Sequence, residues 1–329
     1  MNFYLNSTGI ISGAGNSITG IDEPSTDNNS LLAKEPDYTG QIPPMQLRRM
    51  SKAVRMGIGA ANACLQAAGA DKANAISVGT AMGCLQDTDV FLNKMVEQNE
   101  QMLTPTSFIQ STHNTVAGQI ALVTGCNGHN LTYVQRGHSF EHAMLNTALY
   151  LNEHPSEKIL VGGIDELTPT SISVMTSANI YNSKILAGEG AVFVLASDTP
   201  SGEKSVKVKA IDTFTSADGT KASERLQQFL SVNKIENPDL ILSGKYNDER
   251  TLSFYNSLNK KFPSTATIEF KKLCGEYATA SSFALGLLFE LLNGNYSIAN
   301  NNSFQLKKPA KVLLVNNYMH YVSFWHLEV

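Results

Sequence analysis

The stretch Val161-Gly162-Gly163-Ile164-Asp165-Glu166-Leu167-Thr168-Pro169 places two acidic residues and a proline turn directly after an apolar run. A second apolar run opened by glycines, Gly-Glu-Gly-Ala-Val-Phe-Val-Leu, follows at 188–195. Both runs have the length of strands that are buried on both faces. Similar runs alternate with longer helical patterns elsewhere, so the sequence predicts a mixed or largely parallel sheet with helices on both faces.

The order of elements outside this stretch suggests an internal duplication. Residues 21–45 are polar and contain several Pro and Asn, which predicts a surface loop. The segment 200–204 (Pro-Ser-Gly-Glu-Lys) is the best break, and it divides the chain into halves 1–199 and 200–329. Strands are expected at 3–11, 75–79, 130–134, 159–162, 191–196, 206–212, 239–243, 311–316 and 321–329, and helices at 48–69, 87–99, 115–124, 137–151, 221–232, 249–260 and 278–292.

The charge composition of the chain indicates which kinds of binding partner are favoured. The 329 residues carry 25 Lys and Arg against 29 Asp and Glu, a net charge of −4, which disfavours a basic groove for nucleic acid. Charged residues are 16% of the chain, below the roughly 25% of an average soluble domain. Sparse charge fits a large subunit interface, and it fits a surface rich in Ser, Thr and Asn equally well.

The N-terminus, the apolar runs and the cysteines indicate the cellular compartment of the protein. No cationic segment followed by a long apolar run opens the chain, and no apolar run reaches the about 18 residues of a membrane span. Cys64, Cys84, Cys126 and Cys274 form no CxxC pair. These features predict a cytoplasmic protein with reduced thiols and no membrane insertion.

Four segments carry a family resemblance when they are taken together. They are 114–119 (Asn-Thr-Val-Ala-Gly-Gln), 161–169, 188–195 and 271–275 (Lys-Lys-Leu-Cys-Gly). In this order, over nearly the whole chain, they resemble the beta-ketoacyl-ACP synthase family of the thiolase fold. The resemblance implies a five-layered α/β/α/β/α architecture with two duplicated halves, a dimer, and no cofactor or metal.

The resemblance implies a nucleophilic cysteine at a strand-to-helix elbow, three positions before a glycine. A thiolate at a helix N-terminus is stabilised by the helix dipole and can attack a thioester. Anchoring on Gly137 places Val134 at the cysteine position, and a slip of one residue places Gln135 there. Neither side chain can form an acyl-enzyme.

The two histidines that the family uses to stabilise the thioester oxygen and the enolate are also missing. By the resemblance, Gly244 takes the first position, beside Lys245, and Glu276 takes the second, after Gly275. The segment 316–321, which corresponds to the glycine-rich gating loop, contains His320 but no glycine. Losing one oxyanion donor costs about 10²–10³ in rate and losing the nucleophile on the order of 10⁶, so His320 cannot restore activity.

The family's second histidine points into the catalytic cavity, which predicts that Glu276 projects there, near Val134 and Gly244. A buried carboxylate must be neutral, hydrogen-bonded or paired. We therefore expect Lys245, Arg136, Lys271 or backbone N–H groups to hold Glu276, so that it plugs the former active site.

Other motifs have simpler interpretations. His138-Ser139-Phe140-Glu141-His142 matches H-x-x-E-H, but no third zinc ligand stands out, so partly buried helix histidines are favoured. The basic group Arg48, Arg49, Lys52 and Arg55 fits either an acidic carrier protein or a solvated helix face.

The resemblance is closest to chain-length factors, non-catalytic subunits that pair with an active ketosynthase and an acyl carrier protein. It points to polyketide, aryl polyene, flexirubin-type pigment or fatty-acid-like biosynthesis. It also implies that strand 130–134 pairs across a dimer axis, with 104–113 wrapping toward the partner. Two alternatives remain: a divergent synthase with a relocated nucleophile such as Cys126 or Cys274, and a homodimeric module that binds an acyl chain or carrier protein.

Overall fold

The computed structural model describes residues 1–16, 30–216, 219–246, 248–294, 296–298, 302–304 and 306–329. The strands are β1 Phe3–Ser12, β2 Ser30–Leu31, β3 Ala75–Gly79, β4 Asn130–Tyr133, β5 Ile159–Asp165, β6 Ala187–Gly188, β7 Gly190–Ser197, β8 Val206–Thr215, β9 Leu240–Ser243, β10 Ala266–Glu269, β11 Tyr296–Ile298, β12 Asn302–Phe304, β13 Lys311–Tyr318 and β14 Tyr321–Glu328. The helices are α1 Pro44–Leu47, α2 Lys52–Ala67, α3 Leu85–Glu97, α4 Pro105–Ser111, α5 Thr115–Thr124, α6 Ser139–Glu153, α7 Pro169–Ser177, α8 Gly219–Val232, α9 Glu249–Lys261, α10 Lys271–Cys274 and α11 Ala280–Asn293.

Ten strands form one continuous sheet that consists of two equivalent halves. The order is β4-β3-β5-β7-β1 in the first half and β10-β9-β13-β14-β8 in the second. In each half two parallel pairs are followed by two antiparallel pairs. The halves join where Phe3–Leu5 of β1 pairs with Val206–Val208 of β8. This repetition confirms the predicted duplication in the order and direction of the strands.

Helices cover both halves and fill the space between them, giving the predicted five layers. Helices α2 and α5 pack on the outer face of the first half, and α8 and α9 pack on the outer face of the second. Helices α6 and α11 form the central layer, where the ring of Phe140 stacks on Trp325 of β14. Because α11 is enclosed on nearly every side, it is apolar all round.

The predicted division at 199/200 falls in the connection between β7 and β8. Its status as a domain boundary stays a prediction.

The predicted surface loop 21–45 is confirmed in part: residues 32–43 form no helix or strand and are mostly exposed or half-buried, β2 and α1 begin and end the described stretch, and 21–29 lies outside the described residues. Leu31 is buried, and Tyr38 and Ile42 pack in the same cluster as α2, so these side chains anchor the loop to the core. Its polar composition hid three apolar anchors spaced without helical or strand periodicity. Helices α4, α7 and α10 and strand β10 were not predicted, because each is short and weakly periodic.

The helices within the described ranges include none that is both long and apolar enough to cross a membrane.

A buried carboxyl group lies in the central layer. Glu141 of α6 is fully buried, and its Oε1 accepts a hydrogen bond from the hydroxyl of Ser323 on β14 at 2.9 Å. Burial raises the pKa of Glu141 from 4.5 to about 7, against the lowering effects of Ser281, Ser323 and Lys271. Because the folded state holds this proton more tightly, the group stabilises the fold less as pH rises from 4.5 to about 7.

We predict that Glu141→Gln raises the free energy of unfolding above pH 7, by at most about 3 kcal/mol for a pKa rise of this size. The gain should shrink as pH falls from 7 and vanish below pH 4.5, where the wild-type carboxyl is protonated in both states. Urea denaturation across this pH range measures it, with the exposed Glu97→Gln as control. An effect of Glu141→Gln that does not vary with pH would contradict the assignment.

Candidate active site

The acidic pair that ends β5 anchors the segments around the site. The carboxylate of Asp165 accepts hydrogen bonds from the backbone N–H of Ala81 at 2.8 Å and the hydroxyl of Thr80 at 3.2 Å. It also accepts from the backbone N–H of Thr279 at 3.0 Å and the Thr279 hydroxyl at 2.8 Å. One side chain therefore links the loop after β3 to the start of α11.

Two further buried glutamates hold the neighbouring loops. Glu166 accepts hydrogen bonds from the backbone N–H groups of Ala53 and Gln86, each at 2.9 Å. Burial raises the pKa of Glu166 to about 7. Glu189 pairs with Lys52 at 2.5 Å and accepts from the backbone N–H of Leu167 at 2.8 Å. These carboxylates accept hydrogen bonds from backbone N–H groups of the loops, and in this way they hold the loops around the site in place.

The two glycine motifs lie against each other. A Cβ at Gly188 would lie 2.2 Å from the carbonyl oxygen of Cys274, so only glycine allows this approach. Gly275 has φ +77°, a conformation that favours glycine. The backbone N–H of Gly188 donates to the carbonyl of Glu276 at 3.0 Å, and that of Glu276 donates to Leu186 at 2.9 Å. This contact positions Glu276.

Glu276 is buried, and Lys271 holds it. The ammonium group of Lys271 lies 2.8 Å from Oε1 and 3.0 Å from Oε2 of Glu276, and it also donates to the carbonyl of Asn317. Burial raises the pKa of Glu276, while the charge and hydrogen bonds of Lys271 oppose the rise. The prediction that a cation holds Glu276 is confirmed for Lys271. Lys245 instead pairs with Glu269 at 3.2 Å.

At Gly244 the structure leaves no room for a side chain. A Cβ there would lie 2.7 Å from Oδ1 and 3.0 Å from Cα of Asn316. The backbone N–H of Gly244 donates to the carbonyl of Val315 at 2.7 Å, which ties the end of β9 to β13. The amide of Asn316 therefore fills the space beside Gly244 that a larger side chain would need.

The elbow between β4 and α6 turns at Arg136. Arg136 has φ +53°, which is costly for a residue with a side chain, whereas Gln135 has φ −125°. The Ser139 hydroxyl fixes the turn, donating to the carbonyl of Arg136 at 2.8 Å and accepting from the N–H of Gln135 at 2.9 Å. Val134, Gln135 and Arg136 are all exposed.

The hairpin between β13 and β14 packs against this elbow. A Cβ at Gly137 would lie 2.7 Å from the Cβ of Tyr321 and 3.0 Å from that of Tyr318. His320, at the hairpin turn, is exposed, and its ring contacts that of Tyr321 in a tilted arrangement with 4.3 Å between centroids. The hairpin thus contacts Gly244 through Asn316, Lys271 through Asn317 and Gly137 through Tyr318. The proximity of Glu276 to Val134 stays a prediction.

The histidines of the H-x-x-E-H segment serve packing. Nε2 of His138 lies 3.0 Å from the carbonyl of Val322, and the His138 and His142 rings are 5.8 Å apart. Glu141 lies between them in sequence but is directed toward Ser323. No group of three or more potential metal ligands occurs in the described part of the chain.

The four cysteines are all buried. Burial raises the pKa of Cys64 and of Cys84 to about 12, and it raises the pKa of Cys274 further. Thiols in such surroundings are poor nucleophiles because the thiolate is the reactive form.

An apolar cavity of about 250 Å³ opens beside the site, between α3 and α7. Sequence analysis did not predict this cavity, because α7 was not recognised as a helix. Its lining includes Met82, Leu92, Val174, Tyr277 and Tyr318.

Comparison with known proteins gives the family. The family model described as "Beta-ketoacyl synthase, N-terminal domain" matches residues 24–237 of the chain. The chain belongs to the beta-ketoacyl synthase family. No curated protein is similar enough in sequence to match it.

Solved structures support the thiolase-like fold. The chain is similar over its full length to 99% of a chain from the ishigamide ketosynthase/chain length factor structure (TM-score 0.79, 16% identity). It is similar to 98% of a chain from the structure of a ketosynthase (ApeO) in complex with its chain length factor (ApeC) from Xenorhabdus doucetiae (TM-score 0.77, 16% identity). It also covers 99% of a chain from a type II polyketide synthase acyl-carrier protein in complex with its ketosynthase (TM-score 0.75, 15% identity).

We predict that Lys271→Met destabilises the protein by about 3–5 kcal/mol, because it leaves the buried Glu276 without its cation. Combining it with Glu276→Leu should recover most of the loss, since no unpaired charge then remains. Urea denaturation at pH 7 measures both variants. The exposed pair Lys184–Glu249 provides the control, and Lys184→Met should change little. Equal stabilities of the single and double variants would contradict the prediction.

Proposed function

We propose that this chain is a non-catalytic, chain-length-factor-type subunit that pairs with an active ketosynthase in polyketide, aryl polyene or fatty-acid-like biosynthesis. The observation that carries the proposal is the elbow, where Val134, Gln135 and Arg136 precede Gly137 and none has a nucleophilic side chain. Because Arg136 has the strained backbone expected of an elbow nucleophile, we infer that Arg136, rather than Val134, takes the nucleophile's place.

The surroundings of the elbow support the loss of catalysis. At the two positions that the resemblance assigns to histidines, Gly244 has no room for a side chain and Glu276 is tied to Lys271. A carboxylate would repel a developing enolate instead of stabilising it. Restoring the nucleophile alone would therefore leave the oxyanion without donors from these positions.

A relocated nucleophile is the main rival. Cys126 and Cys274 are both buried, and burial raises the pKa of Cys274. An acyl donor would have to reach a thiol that is closed off from solvent, and at Cys274 burial disfavours the reactive thiolate. These surroundings favour the non-catalytic proposal.

An open sheet edge supports pairing with another subunit. Strand β4 is the last strand of its half, and its second edge has no neighbouring strand among the described residues. Such an edge is a ready template for pairing with another chain. Large apolar side chains are exposed on β4 and on the helices and segments of the same half: Leu92, Val96, Met102, Phe108, Ile109, Leu122, Leu131 and Val134.

The choice of partner draws on the relatives. Structures similar to this chain include ketosynthases in complex with a chain length factor and a ketosynthase in complex with its acyl-carrier protein. We propose an active ketosynthase as the partner and an acyl carrier protein as a transient one. A homodimer that binds an acyl chain or carrier protein through the same edge is the alternative.

The proposed inactivity is tested on the purified chain with acyl- and malonyl-carrier substrates. We expect no condensation product and no mass increase after incubation with an acyl donor. Co-expression with a ketosynthase encoded beside it should give a stable heterodimer that condenses. An acylated peptide containing Cys126 or Cys274 would replace this proposal with the relocated nucleophile.

We predict that Leu131→Lys abolishes co-purification with the partner ketosynthase, because it puts a charge on the edge strand where Leu131 is 42% exposed. Thermal stability of the isolated chain should not change, since the side chain already faces solvent. Val232→Lys on α8, where the apolar side chain is 79% exposed, is the matched control. Pairing that survives Leu131→Lys would place the interface elsewhere.

A further inference from the structure

The end of the second half that lies away from the candidate site is rich in lysine. Strands β9 and β13 are parallel, and the contact of Gly244 with Asn316 places their C-terminal ends at the site. The starts of both strands therefore lie at the opposite end of the sheet, which we call the far end. Because α8 leads to the start of β9 and α9 leads to the start of its parallel neighbour β10, the last turns of both helices lie at the far end as well.

Nine lysines of the second half lie at this end, and the strand register brings several of them together. Lys311, Glu328 and Lys207 are direct partners across β13, β14 and β8, so their side chains emerge on one face of the sheet. Lys308 donates to the carbonyl of Glu203, which joins the segments before β13 and β8. We call the nine residues the lysine face: Lys204, Lys207, Lys209, Lys234, Lys260, Lys261, Lys307, Lys308 and Lys311.

Carboxylates balance only part of this charge. Lys209 pairs with Glu328 at 3.7 Å, and none of the other eight ammonium groups makes an ion pair with a described residue. All nine side chains except those of Lys207 and Lys209 are exposed. Nine lysines against five carboxylates give this end a net charge of +4, whereas the whole chain has −4. The five carboxylates are those of Glu203, Glu236, Asp239, Glu290 and Glu328.

The corresponding end of the first half has the opposite balance of charge. The starts of β3 and β5, the ends of α2 and α6 and the residue after β7 lie there. Two lysines in these segments face four carboxylates: Lys72 and Lys158 against Asp71, Glu153, Glu157 and Asp198. An anionic surface would therefore be attracted to the second half and repelled by the first, which fixes the orientation of the molecule on it.

The chemistry of the lysine face fits a lipid surface better than a nucleic acid. Each of its cations is a lysine, a hydrated point charge on a flexible stem, whereas arginine is the residue that grips nucleic-acid phosphates with two hydrogen bonds. The rings of Tyr4 and Phe262 lie under the ammonium groups of Lys207 and Lys261, at 5.5 and 5.7 Å, and are not free to stack on bases. Val232, at the end of α8, is 79% exposed and adds an apolar side chain to the same end.

We propose that the lysine face binds the surface of a membrane that contains anionic lipids, at the level of the headgroups. Lysines held near such a surface are attracted to it, and several weak contacts add up to reversible binding. The candidate site lies at the opposite end and stays open in this orientation. For the same reason a carrier protein on this face could not deliver an acyl group to the elbow. The inference is independent of pairing with a ketosynthase.

Flotation of the purified full-length chain with lipid vesicles tests the proposal. We expect the chain to float with phosphatidylcholine vesicles that contain one third phosphatidylglycerol, and not with phosphatidylcholine alone. Binding at about 0.1 M salt should be lost at about 1 M salt, where the Debye length falls from about 10 Å to about 3 Å.

Charge reversal on the lysine face should weaken this binding. The triple variant Lys204→Glu/Lys260→Glu/Lys307→Glu changes exposed side chains and should lower vesicle affinity at least about tenfold. The same three positions changed to Gln should lower it less, because the charge is removed and not reversed. The control Lys34→Glu/Lys94→Glu/Lys184→Glu changes the net charge equally outside the face and should have a much smaller effect.

Four results would each overturn the proposal. They are no flotation of the wild type with phosphatidylglycerol, equal flotation with both kinds of vesicle, equal effects of the two Lys→Glu triple variants, and release from the vesicles by a short DNA duplex at equal phosphate concentration. The last would assign the face to nucleic acid. None of them changes the outcome of the Leu131→Lys pairing test, so the two proposals fail separately.

Discussion

The carboxylate of Asp165 is the constraint on which the arrangement of the site depends. It is buried at the end of β5 and accepts hydrogen bonds from Thr80 and Ala81 of the first half and from Thr279 at the start of α11. Burial raises its pKa, and these donors offset the cost of the charge. Removing them would leave an unsatisfied charge between the halves, so the loop after β3 and the central helix must stay together.

The residues at the positions that the resemblance assigns to chemistry are engaged in packing and pairing. Lys271 neutralises Glu276 and also binds the carbonyl of Asn317, while Asn316 fills the space beside Gly244. Both contacts involve the same hairpin, which also packs on Gly137 of the elbow. Contacts with the hairpin of β13 and β14 therefore hold Gly244, Lys271 and Gly137 in place. The family's fold survives because these buried groups satisfy one another.

Much of this was accessible from the sequence because buried strands have continuous apolar runs. Strand β3 and helix α5 begin and end where they were predicted, and the duplication followed from the order of elements. The pairing of Glu276 with a cation followed from the cost of a buried charge. The turn at Arg136 could not be predicted from the sequence. Alignment on Gly137 only counts residues along the chain, whereas the positive φ of Arg136 depends on how the backbone leaves β4. The core role of Tyr38 was hidden by its polar surroundings.

Under the proposed assignment of Arg136 to the nucleophile's place, a single substitution would not give a condensing enzyme. An elbow thiolate needs a cationic environment to be stabilised, and here the cation itself occupies the elbow. Exchanging Arg136 for cysteine would remove that charge while leaving Glu276 bound to Lys271 and Gly244 closed by Asn316. The three positions would have to change together, and the hairpin would have to move to admit a histidine at Gly244. Under the proposed non-catalytic role, the packing that stabilises this fold would therefore also oppose a gain of condensing activity.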